Sequence, residues 1–259
     1  VERQGNVYTF LFALGVALAC AFLLSLTSQL LGPRQDLAQE ADIKRNILQA
    51  LGLLQNGDSS SCDIRVIDPK RCADITCCYR ENVRSIIIGH DGKAVTGSGT
   101  KAELIDLAKE MEKPERERTL PVFTRVRDNR VLAYCFPVYG KGLWSSIYGY
   151  IALDRDLDTV LGITFHKQGE TPGLGGEIQY PEFQSRFNGK KIFETGKLVA
   201  VTVLKGKADT SLPAALHQVD GITGATITGK GVTMLLKKSL SLYEPYIRLA
   251  KKGGAGNVR

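Results

Sequence analysis

Asp220-Gly221-Ile222-Thr223-Gly224-Ala225-Thr226-Ile227-Thr228-Gly229 is the stretch on which the reading of this chain turns. It lies where a short apolar run, Leu216 to Ile222, gives way to a helical pattern from about Ile227 to Ala250. Three threonines and three glycines crowd into that junction. A helix start leaves backbone N–H groups unpaired and carries positive dipole charge, so it suits a phosphate. Gly224 and Ala225 are small enough for a bulky ligand to reach the main chain. The same residues also read as an ordinary cap, with Thr226 or Thr228 capping the helix and the glycines making the turn. Taken alone, the stretch leaves both readings open.

Working outward, the chain has 259 residues, 43% hydrophobic and 24% charged, with a net charge of +7. That describes a foldable globular chain with room for one good-sized domain and appendages. The basic residues are scattered among acidic ones and no nucleic-acid motif is present, so the charge reads as surface character that favours anionic lipid or an acidic partner. Neither G-x-G-x-x-G nor G-x-x-x-x-G-K-[ST] occurs, which removes support for a dinucleotide fold or a P-loop.

Val7 to Leu31 is an uncharged run of about 25 residues, enough to span a bilayer and too long for the core of a cleaved signal peptide. Gly32-Pro33 is expected to stop it. From Gln35 to Leu53, apolar Leu37, Ala41, Ile47, Leu48 and Leu51 recur at helical spacing, which predicts an amphipathic connecting helix. The expected organisation is an anchor over 1–32, the connector over 33–54 and one domain over 55–259. Arg3 precedes the span while Arg34, Lys44 and Arg45 follow it, a flank pattern that by itself keeps the domain in the cytoplasm.

Cys62, Cys72, Cys77 and Cys78 form a cysteine-rich insertion near 62–78, at a spacing that fits no standard zinc or iron–sulfur pattern. Disulfides, free thiols and a metal are all compatible with it, disulfides best in an oxidising compartment. Strands are expected over Arg84–Gly89, Lys93–Val95, Pro121–Arg127, Val131–Val138, Ser146–Leu153, Val160–Phe165, Leu198–Leu204 and Gln218–Ile222. Asp128-Asn129 turns one pair, and Gly140-Lys141-Gly142 loops into the next. Lys101–Glu112 reads as an amphipathic helix, and Ile178–Phe187 as partly helical. His90 belongs to a turn, and Cys135 alternates onto a core face. Strands and helices interleave without a βαβ rhythm, so the fold class is α+β, with a mainly antiparallel sheet and flanking helices.

Three stretches carry a family resemblance. Thr223-Gly224-Ala225-Thr226, inside Asp-Gly-Ile-Thr-Gly-Ala-Thr, looks like a motif at which FMN is joined to threonine. Glu170-Thr171-Pro172-Gly173-Leu174-Gly175 looks like the companion loop, and Gly140-Lys141-Gly142-Leu143-Trp144-Ser145, running to Tyr150, like the third element. Together they resemble the covalent FMN-binding domain family found in the C subunit of the sodium-translocating NADH:quinone oxidoreductase and shared with the G subunit of the Rnf complex. The Gly-Lys-Gly-Leu-Trp-Ser stretch fits the first of these better. The cysteine cluster is a departure from the family pattern.

The resemblance implies FMN in phosphoester linkage to Thr226. Leu143 and Trp144 then supply one wall for the ring, and Glu170, Thr171 and Leu174 another. Gly173, Gly175 and Gly176 let the loop approach the ring, and Thr223, Gly224, Ala225 and Thr228 surround the attachment point. Trp144 also reads as core packing, and Glu170 as a surface loop acid. Asp220 serves either a flavin transferase or the turn; Lys230 either offsets the phosphate or is simply solvated. A threonine hydroxyl with no evident base nearby is a weak nucleophile, so a separate flavin transferase is implied. No catalytic residue and no metal site are expected.

The resemblance further implies an inner-membrane, single-pass polypeptide whose flavin domain faces the periplasm, assembled with the A, B, D, E and F subunits. Its role there is to relay single electrons from an iron–sulfur centre to another flavin. Long domains cross a membrane despite flanking charge, so the family's orientation is adopted over the flank count. An Rnf-type flavin protein, or a membrane-anchored binding module without redox work, is the alternative.

Overall fold

The computed structural model describes residues 2–56, 64–66, 74–95 and 99–253. Cys62 and Cys72, and with them most of the cysteine-rich insertion, lie outside the described residues. Cys77 and Cys78 are described, the first half-buried and the second buried.

The chain divides into two units, Val1–Asp42 and Ile43–Arg259. The first is one stretch of helix α1 (Glu2–Ala50). Within it Val7–Gln29 has a mean hydropathy of 2.4, and no part of its most apolar stretch is buried. These 23 residues rise roughly 35 Å at ~1.5 Å each, against a hydrocarbon core of ~30 Å. The expected stop at Gly32-Pro33 is not observed: α1 runs through both residues. A proline inside a helix removes one backbone bond at a cost of ~3 kcal/mol, but helical turns on either side can carry the chain across it.

The second unit is built on a five-stranded antiparallel meander in which each strand pairs with the next in sequence. Before it come the short pair β1 (Leu54–Asn56) and β2 (Ile64–Val66), then helix α2 (Ile75–Asn82). The sheet comprises β3 (Val83–Gly89), β4 (Thr119–Arg127), β5 (Arg130–Lys141), β6 (Ser146–Asp154) and β7 (Val160–Lys167). Asp128 and Asn129 turn β4 into β5 with both φ angles positive, at 51° and 59°, a conformation these two residue types tolerate. Beyond β3 the return strand over Lys93–Val95 shrinks to a single bridge at Ala94.

The helix expected over Lys101–Glu112 is broken. A 3-10 turn at Ala102–Leu104 precedes helix α3 (Leu107–Glu112), because Asp106 takes extended backbone and accepts the Ala108 amide at 2.9 Å. Leu104, in the 3-10 turn, is exposed.

After β7 the chain makes 3-10 turns on either side of helix α4 (Pro181–Gln184). Two-residue strands follow: β8 (Phe193–Glu194), β9 (Lys197–Leu198), β10 (Thr202–Val203) and β11 (Gln218–Val219). The strand expected over Leu198–Leu204 is thus divided. Ala200, between β9 and β10, has φ +61°, which extended pairing does not allow. The last element among the described residues is helix α5 (Thr226–Lys252).

Both faces of the sheet are covered, and period-two alternation sorts the strands between them. Tyr134, Phe136 and Val138 point to the face packed by α5, with Leu235, Leu236, Leu240 and Tyr243. Ala133 and Cys135 point to the other, with Phe123, Tyr150 and Ala152. That second core is completed by Ile47, Leu48, Ala50 and Leu51 from the last turns of α1. The predicted amphipathic segment is therefore packed on the sheet at its carboxyl end. Arg125 Nη1 donates to Leu51 O at 3.3 Å and holds it there.

The approach of α5 to the end of β5 is close. A Cβ at Gly231 would meet Lys141 O at 2.6 Å. Glycine to alanine in a helix ordinarily stabilises by ~1 kcal/mol, whereas overpacking costs ~1–3 kcal/mol. Gly231→Ala should therefore destabilise the domain in chemical denaturation; a stabilised variant would show that the approach is not tight.

Candidate functional site

β5 does not end at a loop of Gly140-Lys141-Gly142 as expected; it continues to Lys141, paired with Ser146. The turn between β5 and β6 therefore projects Leu143, Trp144 and Ser145 beyond the sheet, on the side where α5 begins. A cleft of about 460 Å³ opens there. It is lined by Leu143, Trp144, Glu170, Thr171, Leu174 and Gly175, and by Gly224, Ala225, Thr226, Ile227 and Thr228.

Four residues expected at the site are not in that lining, and one of them, Gly176, is buried. Asp220 accepts the Ala208 amide at 2.7 Å through Oδ1 and so secures a neighbouring loop. Thr223 is exposed on the turn. Gly173 is exposed, with φ +74° and its amide donating to Glu177. Gly175 lines the cleft, and a Cβ there would strike Thr228 Oγ1 at 2.5 Å, so its small size makes room for a protein side chain.

Helix α5 begins without a side-chain cap. Ala225 is its N-cap residue, and Thr226 is the first helical residue, which sets aside the reading of Thr226 or Thr228 as caps. The first-turn amides thus lack a side-chain acceptor, and the dipole's positive end faces the cleft. Gly224 reaches this start with φ +78°, and a Cβ on it would meet Leu174 at 2.7 Å. Lys230 is exposed.

Exposed apolar groups form the walls. Trp144 is 73% accessible, which excludes core packing, and Leu143, Leu174 and Ile227 are also exposed. Ile227 was not singled out by sequence, where it reads as one more apolar residue of the helical pattern. Arg186 was also missed: it donates to the carbonyls of Asp220 and Gly221 at 3.3 and 3.1 Å and so fixes the entry to the motif. Its partners are main-chain atoms, which leave no pattern in sequence.

Glu170 is buried, and so is not a surface acid. Its Oε1 accepts the amides of Trp144 and Ser145 at 2.9 and 3.1 Å, and its Oε2 accepts the Leu143 amide at 3.1 Å and the Thr228 hydroxyl at 2.6 Å. Burial alone raises the pKa of this carboxyl. The hydrogen bonds, from Thr228 first and then from the Trp144, Leu143 and Ser145 amides, outweigh burial and hold it below its ordinary value.

A flat, largely apolar ring system carrying a phosphate fits these residues. The uncapped helix start suits the phosphate, and the exposed walls suit the ring.

Residues 142–241 match the family described as the FMN-binding domain. The fold and cleft thus define an FMN-binding domain preceded by a long apolar helix. The C subunit of the Na(+)-translocating NADH-quinone reductase of Haemophilus ducreyi is 36% identical over 251 residues, covering 93% of each chain. The C subunit from Pseudomonas aeruginosa is 31% identical over 259 residues, covering 98% of this chain and 99% of its own. Among solved structures, the C subunit from Parabacteroides distasonis is 33% identical with a TM-score of 0.65, over 83% of this chain and 96% of its own. Shewanella oneidensis NqrC, 25% identical, has the same TM-score of 0.65, over 83% of this chain and 99% of its own. This chain belongs to the NqrC family, the C subunits of the Na(+)-translocating NADH-quinone reductase.

Because the folded Glu170 carboxyl titrates below its unfolded value, its contribution to stability is complete above the ordinary glutamate pKa. It is lost as pH falls through the lower folded value. Glu170→Gln should flatten the acid limb of the stability-versus-pH curve, measured by denaturant midpoint at each pH. An acid limb identical to that of the unaltered chain would contradict this.

Proposed function

We propose that this chain is a flavin-carrying relay in a membrane sodium-translocating NADH:quinone oxidoreductase, with FMN joined through its phosphate to Thr226. The observation that carries the reading is the position of Thr226. It is the first residue of an uncapped helix, and it lines a cleft with exposed apolar walls. FMN, when bound, supplies one-electron chemistry that protein side chains lack.

The chain's own residues bind and orient. The first turn of α5 would hold the phosphate, and its positive end offsets the charge that a phosphodiester keeps. Leu143 and Trp144 would face the ring from one side, and Leu174 and Ile227 would supply further apolar surface. Glu170 accepts four hydrogen bonds already described and does not serve as a base toward Thr226. Attachment is therefore assigned to a separate flavin transferase.

The names of the relatives favour the NADH-quinone reductase over the Rnf complex. The chain's place is between an iron–sulfur centre among neighbouring membrane subunits and the flavin of the B subunit, in an assembly that also contains the A, D, E and F subunits. Val7–Gln29 anchors it in lipid of the bacterial inner membrane, with the flavin domain in the periplasm. Sodium movement and quinone reduction belong to the whole assembly.

The assembled complex carrying Thr226→Ala should lose quinone reduction, while the isolated flavin-loaded chain should oxidise NADH negligibly. A Thr226→Ala complex that reduces quinone at the normal rate, or brisk NADH oxidation by the chain alone, would overturn the relay reading.

A further inference from the structure

One side chain is bonded to two separate parts of the cleft. Glu170 is 5% exposed and receives three consecutive amides, those of Leu143, Trp144 and Ser145, together with the Thr228 hydroxyl from the first turn of α5. The Ser145 hydroxyl also approaches Oε1, at 3.4 Å, and itself accepts the Gly169 amide at 2.6 Å. The surroundings are shaped to the carboxylate: a Cβ at Gly142 would meet Oε1 at 2.5 Å, and one at Gly175 would meet Oε2 at 3.0 Å.

The side chains of the wall offer little packing of their own. Leu143 is 46% and Trp144 73% exposed, so the place of this turn depends on its backbone. Hydrogen bonds to an ionised acceptor are stronger than neutral ones, and three amides left without their acceptor carry a desolvation cost.

We propose that Glu170 is a positioning residue, whose side chain fastens the Leu143–Ser145 turn and the first turn of α5 to one point and so sets where Trp144 stands relative to Thr226. The proposal rests on the reading of the cleft as a flavin site, because that spacing matters only to a ligand that lies between the two. Glu170 acts through the backbone of the turn and the Thr228 hydroxyl.

Glutamine at this position keeps the volume but turns one acceptor into a donor. The carboxamide nitrogen then confronts either the Leu143 amide and the Thr228 hydroxyl or the Trp144 and Ser145 amides. Thr228→Val keeps the shape and deletes only the link to the helix.

The experiment uses the full chain in detergent, made with and without the flavin transferase. Two signals are read. One is hydrogen exchange at the Leu143, Trp144 and Ser145 amides. The other is the emission of Trp144, the chain's single tryptophan, which an adjacent flavin quenches. Glu170→Gln should keep the flavin attached, raise exchange at the three amides by about tenfold or more, and change the quenching. Thr228→Val should leave the amides near the unaltered rate and still change the quenching.

Unaltered exchange and quenching in Glu170→Gln would overturn the proposal. If that variant does not fold, unchanged quenching in flavin-loaded Thr228→Val overturns it alone. Exchange in the flavin-free chain reads the clamp without the cofactor, so a chain that never takes up flavin refutes the function proposed above and not the clamp.

Discussion

The close packing of helix α5 along strand β5 is the constraint on which the rest of the domain depends. The helix crosses the strand with almost no side-chain volume at two points. A Cβ on Gly140 would meet Leu235 Cβ at 2.7 Å, and one on Gly231 would meet the Lys141 carbonyl at 2.6 Å. Between these contacts and the far end, Ser239 is fully buried. Its hydroxyl accepts the Tyr139 amide at 3.0 Å and lies 3.2 Å from the Tyr139 carbonyl, to which it donates. Van der Waals contact at one end and a polar tie in the middle fix both the height and the rotation of the helix. The first turn of α5 is thereby carried to the end of β5, and Thr226 with it.

The cleft follows from that placement. Once the first turn lies beside the turn from β5 to β6, the space between them must be closed or lined. Glu170 closes its inner side by gathering donors from both. Outside it, Leu143, Trp144, Leu174 and Ile227 remain exposed, an arrangement that is costly for a domain with nothing to bind. The uncapped helix start adds to this: a threonine one position earlier would satisfy it, and the chain has alanine. Local choices that fail the rules of stability at several neighbouring positions mark a site shaped for a ligand.

Much of this was legible in the sequence. Strands β4 to β7 follow from alternating apolar residues, and the turn between the first two from Asp128-Asn129. The start and length of α5 follow from its apolar periodicity. The motif residues Leu143, Trp144, Glu170, Thr171, Leu174, Gly175, Gly224, Ala225, Thr226 and Thr228 meet in one cleft although nearly 60 positions separate Glu170 from Thr228. What sequence could not supply was the use made of each group. Glu170 and Arg186 bond chiefly to main-chain atoms, which every residue has, so neither leaves a pairing pattern. The helix over Lys101–Glu112 was misread because the apolar spacing says nothing of Asp106 competing for the Ala108 amide. Gly32-Pro33 misled in the opposite direction, since a proline weakens a helix without obliging it to end.

The central claim is that the hydroxyl of Thr226, at the uncapped start of α5, is where the cofactor is joined. Peptide mapping by mass spectrometry, on the chain isolated from its native membrane, tests this most directly. The account predicts that the peptide containing Thr226 carries the mass of one FMN less one water, with fragment ions that place it on Thr226 and not on Thr223 or Thr228. A peptide of unmodified mass, or fragments that place the addition on either neighbouring threonine, would contradict it.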